Sequence, residues 1–407
     1  MTTETIQPIA QSKRTAIVDM LRGWALLGVC LMNYVDYSFF DIVGNQPRPK
    51  PDILTSILQG LGSIIFQAKS WTMLSMLFGY GFAVLLKNVQ KKGYNPVLFF
   101  TKRMLWLFVI AFINCCFWWG DILKDYAFMG LVMLLFYKLK PKPAFILCIV
   151  LLLLLPAVVV LVGKIPSTSF KEYEKLVPLY HSSSFINNVK FHLLATWYRE
   201  VISPSYLYNV HLVQLICFLA GFAAEGIGFF ENLAANKKYV KRIFWWSLAV
   251  ALILVGVFIA SSVLSSKFKI DIFKYYAPFY WFILASMLMI TTGLCWLYVS
   301  GKLKGFFRAM ERIGKMTLTN YMIQNVISFF VFGGVGLALG SKMPYWFYLA
   351  LGLAVYLSQV FISAWWLKHY NYGPVEWIWR QLSYWKRLPL KRSDVKAPEE
   401  AGEKFAL

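Results

Sequence analysis

The chain is dominated by apolar runs about as long as a bilayer is thick, separated by short polar and basic connections. A helix rises about 1.5 Å per residue, so roughly twenty apolar residues cross a hydrocarbon core about 30 Å thick. Such runs fall near 20–40, 70–87, 104–120, 125–138, 143–163, 206–230, 243–265, 276–299, 317–340 and 344–367. The pattern predicts an all-α, polytopic helical membrane protein of about ten transmembrane helices. It also predicts a single membrane domain over residues 1–392 and a polar cytosolic tail at 393–407. The runs are continuously apolar rather than alternating, which argues against a β-barrel. Composition agrees: 59% of the 407 residues are hydrophobic, too many for a soluble surface to cover.

The net charge of +22 raises the question of a nucleic-acid partner. The basic residues lie in short clusters between apolar runs, with no nucleic-acid motif, so no such partner is expected. Their distribution instead reports topology. Connections on the side of the N-terminus, together with both ends of the chain, hold 27 Lys and Arg, and the opposite side holds 13. Excess positive charge marks the cytosolic side, which places both termini in the cytosol. The first run carries Asp19 and Arg22 and is followed by no cleavage pattern, so it reads as a retained helix.

Two connections are more than turns. Within 52–68, Ile53, Leu54, Ile57, Leu58, Leu61, Ile64 and Ile65 share one helical face, which predicts an interfacial helix entering the second span. Residues 164–205 form the longest external segment, with His181, His192, Arg199 and Glu200. The six cysteines lie in apolar runs without a C-x-x-C pair, so neither a disulfide framework nor a metal site is indicated.

Candidate chemistry lies in the polar residues of these runs, because ionisable groups in lipid are costly. Asp19 and Arg22, three apart, share a helix face and can pair; Asn33 lies three turns further on. Asn114 interrupts the third run, and Asp121 after Gly120 can N-cap the fourth or touch a polar substrate. His211 is the one histidine inside a run, a base candidate or a packing group. Asn320 and Gln324, four apart, form a polar stripe that fits a cavity or a helix–helix contact. Gly79, Gly81, Gly333, Gly334 and Gly336 fall inside apolar runs, which predicts close helix packing or bending rather than nucleotide binding.

Six ordered segments carry a resemblance. They are Asp19-x2-Arg22-Gly23 with Asn33; Leu77-Phe78-Gly79-x-Gly81-Phe82; Gly120-Asp121-Ile122-Leu123 with Tyr126; Leu219-Ala220-Gly221; Leu318-Thr319-Asn320-Tyr321-x2-Gln324; and Tyr372-Gly373-Pro374-x-Glu376-Trp377. Together they resemble the YeiB-like bacterial membrane proteins, classed as domain of unknown function 418. That family is distantly similar to transmembrane acyltransferases. The resemblance implies acyl-CoA as a cytosolic donor substrate, no resident cofactor, and an envelope glycan or lipid acceptor at the outer face. Related enzymes place a histidine about eleven residues beyond the first-span polar residue and another in the third span. Here those positions hold Gly44 and Asn114, so His211 and Asp121 remain as catalytic candidates. Asp19, Arg22, Asn33, Asn114, Asn320 and Gln324 are the expected substrate-binding set. A transporter or flippase for a small or lipid-linked substrate is the alternative.

Overall fold

A computed structural model describes residues 15–39, 51–167, 169–269, 271 and 273–392. The expectations for Gly44 and the tail at 393–407 lie outside those residues. The described chain is helical, with α1 (Ala16–Asp36), α2 (Ile53–Ile65), α3 (Lys69–Lys91), α4 (Pro96–Cys115), α5 (Ile122–Val132) and α6 (Pro141–Val162). Three short helices follow, α7 (Ser169–Glu174), α8 (Val177–His181) and α9 (Phe185–Thr196). Two π-helical stretches, 197–201 and 205–210, then lead into α10 (His211–Gly226). The rest comprises α11 (Lys237–Phe268), α12 (Phe279–Val299), α13 (Lys304–Gly314), α14 (Thr317–Phe332), α15 (Tyr345–His369) and α16 (Pro374–Tyr384).

Eight of these segments are long and apolar enough to cross a membrane. They match eight of the ten expected runs. The fourth and ninth runs are helical but short: α5 has 11 residues and α14 has 16. At 1.5 Å per residue these reach about 16 and 24 Å, less than the hydrocarbon core. The ninth run stops at Phe332 because Gly333-Gly334-x-Gly336 leaves the helix. Gly334 N donates to Tyr180 O, and the chain folds back so that Leu337 N donates to Phe330 O. The expectation that these three glycines lie within a helix is therefore corrected. Glycine disfavours helix interiors, and here its missing side chain admits the backbone of residues 181–182.

Gly79 keeps the helical place expected of it, and its role is close packing. A Cβ there would lie 2.1 Å from Phe218 O, and one at Gly221 would lie 1.9 Å from Met76 O. The backbones of α3 and α10 thus meet directly, as small residues permit in lipid. α1 is held similarly against α13, where Gly314 faces the Asp19 carbonyl and Gly23 faces the Met310 carbonyl. Outer positions of α6 and α11, such as Leu154 and Ile253, are exposed to the space lipid would fill. α2 presents Ile53, Leu54, Ile57, Leu61 and Ile64 outward, as an interfacial helix requires.

Candidate functional site

At the N-terminal end of α1 lies a cavity of about 580 Å³ whose charged side chains include more cations than anions. Six cationic side chains line it (Arg22, Lys87, Lys91, Arg103, Lys315 and Arg380) against four carboxylates (Asp19, Glu225, Glu231 and Glu376). Several are fixed by partners on their own helix or on others. Arg22 Nη1 lies 3.2 Å from Asp19 Oδ1, and Lys87 Nζ lies 2.8 Å from Glu225 Oε2, joining α3 to α10. Arg103 stacks 3.7 Å over the Trp379 ring, whose Nε1 donates to Arg103 O at 2.9 Å.

Glu376 of α16 closes the N-terminus of α14. Its Oε1 accepts from Leu318 N at 2.7 Å and Thr319 N at 3.1 Å, and its Oε2 accepts from Thr319 Oγ1 at 2.5 Å. A carboxylate suits the positive end of a helix dipole and satisfies otherwise orphaned N–H groups. Burial nevertheless raises this carboxyl above its ordinary range. Glu376→Ala is expected to cost about 1–3 kcal/mol through those unsatisfied donors, read as a lower thermal midpoint in detergent. Glu376→Gln, which keeps the acceptor oxygen, should lose less.

A second cavity of about 270 Å³ lies toward the C-terminal end of α1. Asn33, Asp36, Arg199, Glu200, Tyr206 and Gln214 supply its polar wall, and Trp71, Trp118 and Trp119 its aromatic one. Val29, Ile122 and Tyr321 line both cavities. These side chains belong to α1, α5 and α14. Two of the three belong to the helices too short to span. Broken or shortened helices mark binding sites in membrane proteins, because irregular backbone at that depth survives only beside protein or a water-filled space.

Behind the second cavity lies a buried ionic cluster. Lys124 Nζ forms an ion pair 2.5 Å from Glu200 Oε2 and donates to Asp125 Oδ1 at 2.9 Å and to the Asp121 carbonyl at 3.0 Å. Asp125 Oδ2 accepts from Tyr206 Oη at 2.6 Å, and its Oδ1 lies 3.2 Å from His211 Nε2. His211 Nδ1 faces Leu207 O at 2.7 Å, so that nitrogen donates and its lone pair is unavailable. Burial raises the Glu200 carboxyl to about 8, although Lys124 opposes the shift. Burial also lowers His192 to about 3; its ring stacks on Trp119 with centroids 5.6 Å apart, and neither nitrogen has a hydrogen-bond partner among the described residues.

The expected residues divide among these places. Asp19 and Arg22 line the larger cavity and Asn33 the smaller. Asp121 caps α5 by accepting from Lys124 N, and Asn114 Nδ2 donates to Asp121 Oδ1 at 2.7 Å. Asn114 Oδ1 in turn accepts from Asn325 Nδ2, which ties the α4–α5 turn to α14. Asn114, Asp121 and His211 line neither cavity. Asn320 Nδ2 donates to Ser363 Oγ and Gln324 Nε2 to Gln359 Oε1, so the polar stripe of α14 is a helix–helix contact with α15. Sequence reading passed over Glu376, Lys124, Asp125, Gln214, Asp36 and Tyr321 as site residues. Lys124-Asp125 within an apolar run was the available signal.

A helical bundle with eight membrane-length segments and cavities meeting at two shortened helices is a polytopic membrane protein. The chain is similar to the YeiB-like proteins: residues 226–386 match the family described as protein of unknown function (DUF418). It is 24% identical to the uncharacterized protein YxaH of Bacillus subtilis (strain 168), across 95% of this chain and 98% of that one. It is 26% identical to an uncharacterized 39.9 kDa protein in the amylase 3' region of Bacillus acidopullulyticus, over the same shares. The uncharacterized protein YeiB of Escherichia coli (strain K12) is 25% identical across 91% of this chain and 96% of its own. No solved structure matches.

Proposed function

We propose that this protein is an acyltransferase of the bacterial cytoplasmic membrane, with both termini in the cytosol. Acyl-CoA enters the larger cavity from the cytosol, and the acyl group passes to an envelope glycan or lipid acceptor in the smaller one. One observation carries this reading: two cavities toward opposite ends of α1 share Val29, Ile122 and Tyr321 as a common wall. The excess of cationic side chains in the larger cavity suits a phosphorylated thioester. The excess of Lys and Arg on the N-terminal side supports the orientation.

In the reaction the acceptor oxygen or nitrogen attacks the thioester carbonyl carbon and the C–S bond breaks. The sulfur keeps the electron pair and gains a proton, and the acceptor loses one. Tyr321 carries the hydroxyl that lines both cavities, and it would donate to the developing oxyanion. Asp19 and Arg22 organise the donor mouth. Asp121 and His211 act indirectly, by holding α5 and Asp125 around Lys124.

Comparative mass spectrometry of envelope glycans and lipids tests the proposal. Deletion of the gene should remove an acyl mass that wild type restores and Arg22→Ala does not. A transporter is the second reading, favoured by the finding that no histidine among the described residues lines either cavity. An unchanged acylation profile with altered substrate uptake into proteoliposomes would decide for transport.

A further inference from the structure

We infer that the smaller cavity is an acceptor subsite in which Glu200 takes the proton of a hydroxyl or amine that the Gln214 carboxamide holds in place. This inference rests on the acyl-transfer reading above. Gln214 is fully buried on α10, lines the cavity, and has no hydrogen-bond partner among the described residues at either Oε1 or Nε2. An orphaned buried amide is costly, and the cost disappears when a ligand group both donates to it and accepts from it. A hydroxyl or an amine does both.

Glu200 lines the same cavity and is 7% exposed. Its Oε2 lies on Lys124, which leaves Oε1 for a ligand. Lys124 donates to Asp125 and to the Asp121 carbonyl. The charged and titratable groups facing Glu200 come from every neighbouring element. They are Lys124 and Asp125 of α5, Arg199 beside it, Tyr206 of the second π-helical stretch, and Asp36 of α1 across the cavity. Burial and the Asp125 charge strengthen its hold on a proton, which suits a base working near neutral pH. The cavity's 270 Å³ is about nine waters' share of liquid volume, room for a small polar head group.

The step balances. As the acceptor lone pair forms the bond to the thioester carbon, its proton moves to Glu200 Oε1. The C–S pair leaves with sulfur, and the thiolate takes a proton from water in the larger cavity. Glu200 then returns its proton to water in the smaller one.

The test uses the full chain in nanodiscs, with acetyl-CoA as donor and ethanolamine or glycerol as amine and hydroxyl probes, reading thiol release against pH. Glu200→Gln should lower the maximal rate at least about 100-fold, the usual contribution of a general base, and Glu200→Asp should recover part. Gln214→Leu should raise the probe concentration for half-maximal rate about tenfold without changing that for acetyl-CoA, the signature of lost binding to one substrate. A wild-type rate and pH profile in Glu200→Gln would overturn the inference. If wild type releases no thiol with either probe, the acyl-transfer reading fails instead. Glu200 is then judged by infrared difference spectra of the same samples. A carboxylic-acid band that titrates near neutral pH and vanishes in Glu200→Gln supports proton uptake, and its absence in wild type overturns it.

Discussion

Lys124→Met is expected to lower the unfolding free energy by about 3–5 kcal/mol, the cost of stripping the partner from a buried ion pair. The side chain is 14% exposed and holds Glu200 and Asp125 together with the Asp121 carbonyl. Methionine keeps the stem and removes the charge, which leaves Glu200 without its ion pair. The defect should depend on pH. The Glu200 carboxyl is raised from 4.5 to about 8 in the folded protein. Because the folded value is the higher one, the stability it contributes is complete below about pH 4.5 and is lost as pH climbs through about 8. Wild type should therefore soften across that window, and Glu200→Gln should flatten the slope. The Lys124→Met deficit should widen as pH rises, because the unpaired carboxyls ionise. Thermal unfolding followed by tryptophan fluorescence at several pH values measures all three. The double variant Lys124→Met/Glu200→Gln should recover part of the loss, and a strictly additive double variant would deny the coupling.

Gly221→Val should fail to yield a monodisperse protein on extraction from membranes. Even the first atom of the new side chain would lie 1.9 Å from Met76 O and 2.7 Å from Tyr80 N. Overpacking of ordinary cores costs about 1–3 kcal/mol when side chains can shift. Here the obstacle is the backbone of α3, so the cost should reach or exceed the top of that range. The α3–α10 contact also sets one wall of each cavity, since α3 supplies Phe78 and Tyr80 to the larger and α10 supplies Gln214 to the smaller. Gly60→Val is the control. Gly60 lies on α2 with open space around it, and its substitution should change stability by no more than about 0.5 kcal/mol.

The two shortened helices illustrate how far local pattern reaches. Their apolar runs predicted helix correctly, but counting hydropathy through Gly333 and Gly334 lengthened the ninth span beyond its true end at Phe332. The glycines were visible, and their placement was not, because the carbonyls that receive the turn belong to Tyr180 and Phe330. Asp121 was legible for the opposite reason: it caps its own helix at Lys124 N, three residues away. Asn320 and Gln324 were ambiguous, and a distant helix resolved them, through Ser363 and Gln359.

By itself the sequence determined the helical membrane architecture, eight of the ten spans it predicted, the apolar-faced helix at Ile53–Ile65 and the cap at Asp121. These follow from local rules, because a chain in lipid must satisfy its backbone within each segment and expose apolar side chains outward. Tertiary structure alone decided that Glu376 closes α14 from 58 residues away and that Glu200 meets Lys124 across the bundle. It alone brought Val29, Ile122 and Tyr321 to one wall between two cavities. Such contacts arise from how helices pack against one another. Hydropathy measures each helix only against its solvent and does not record its neighbours.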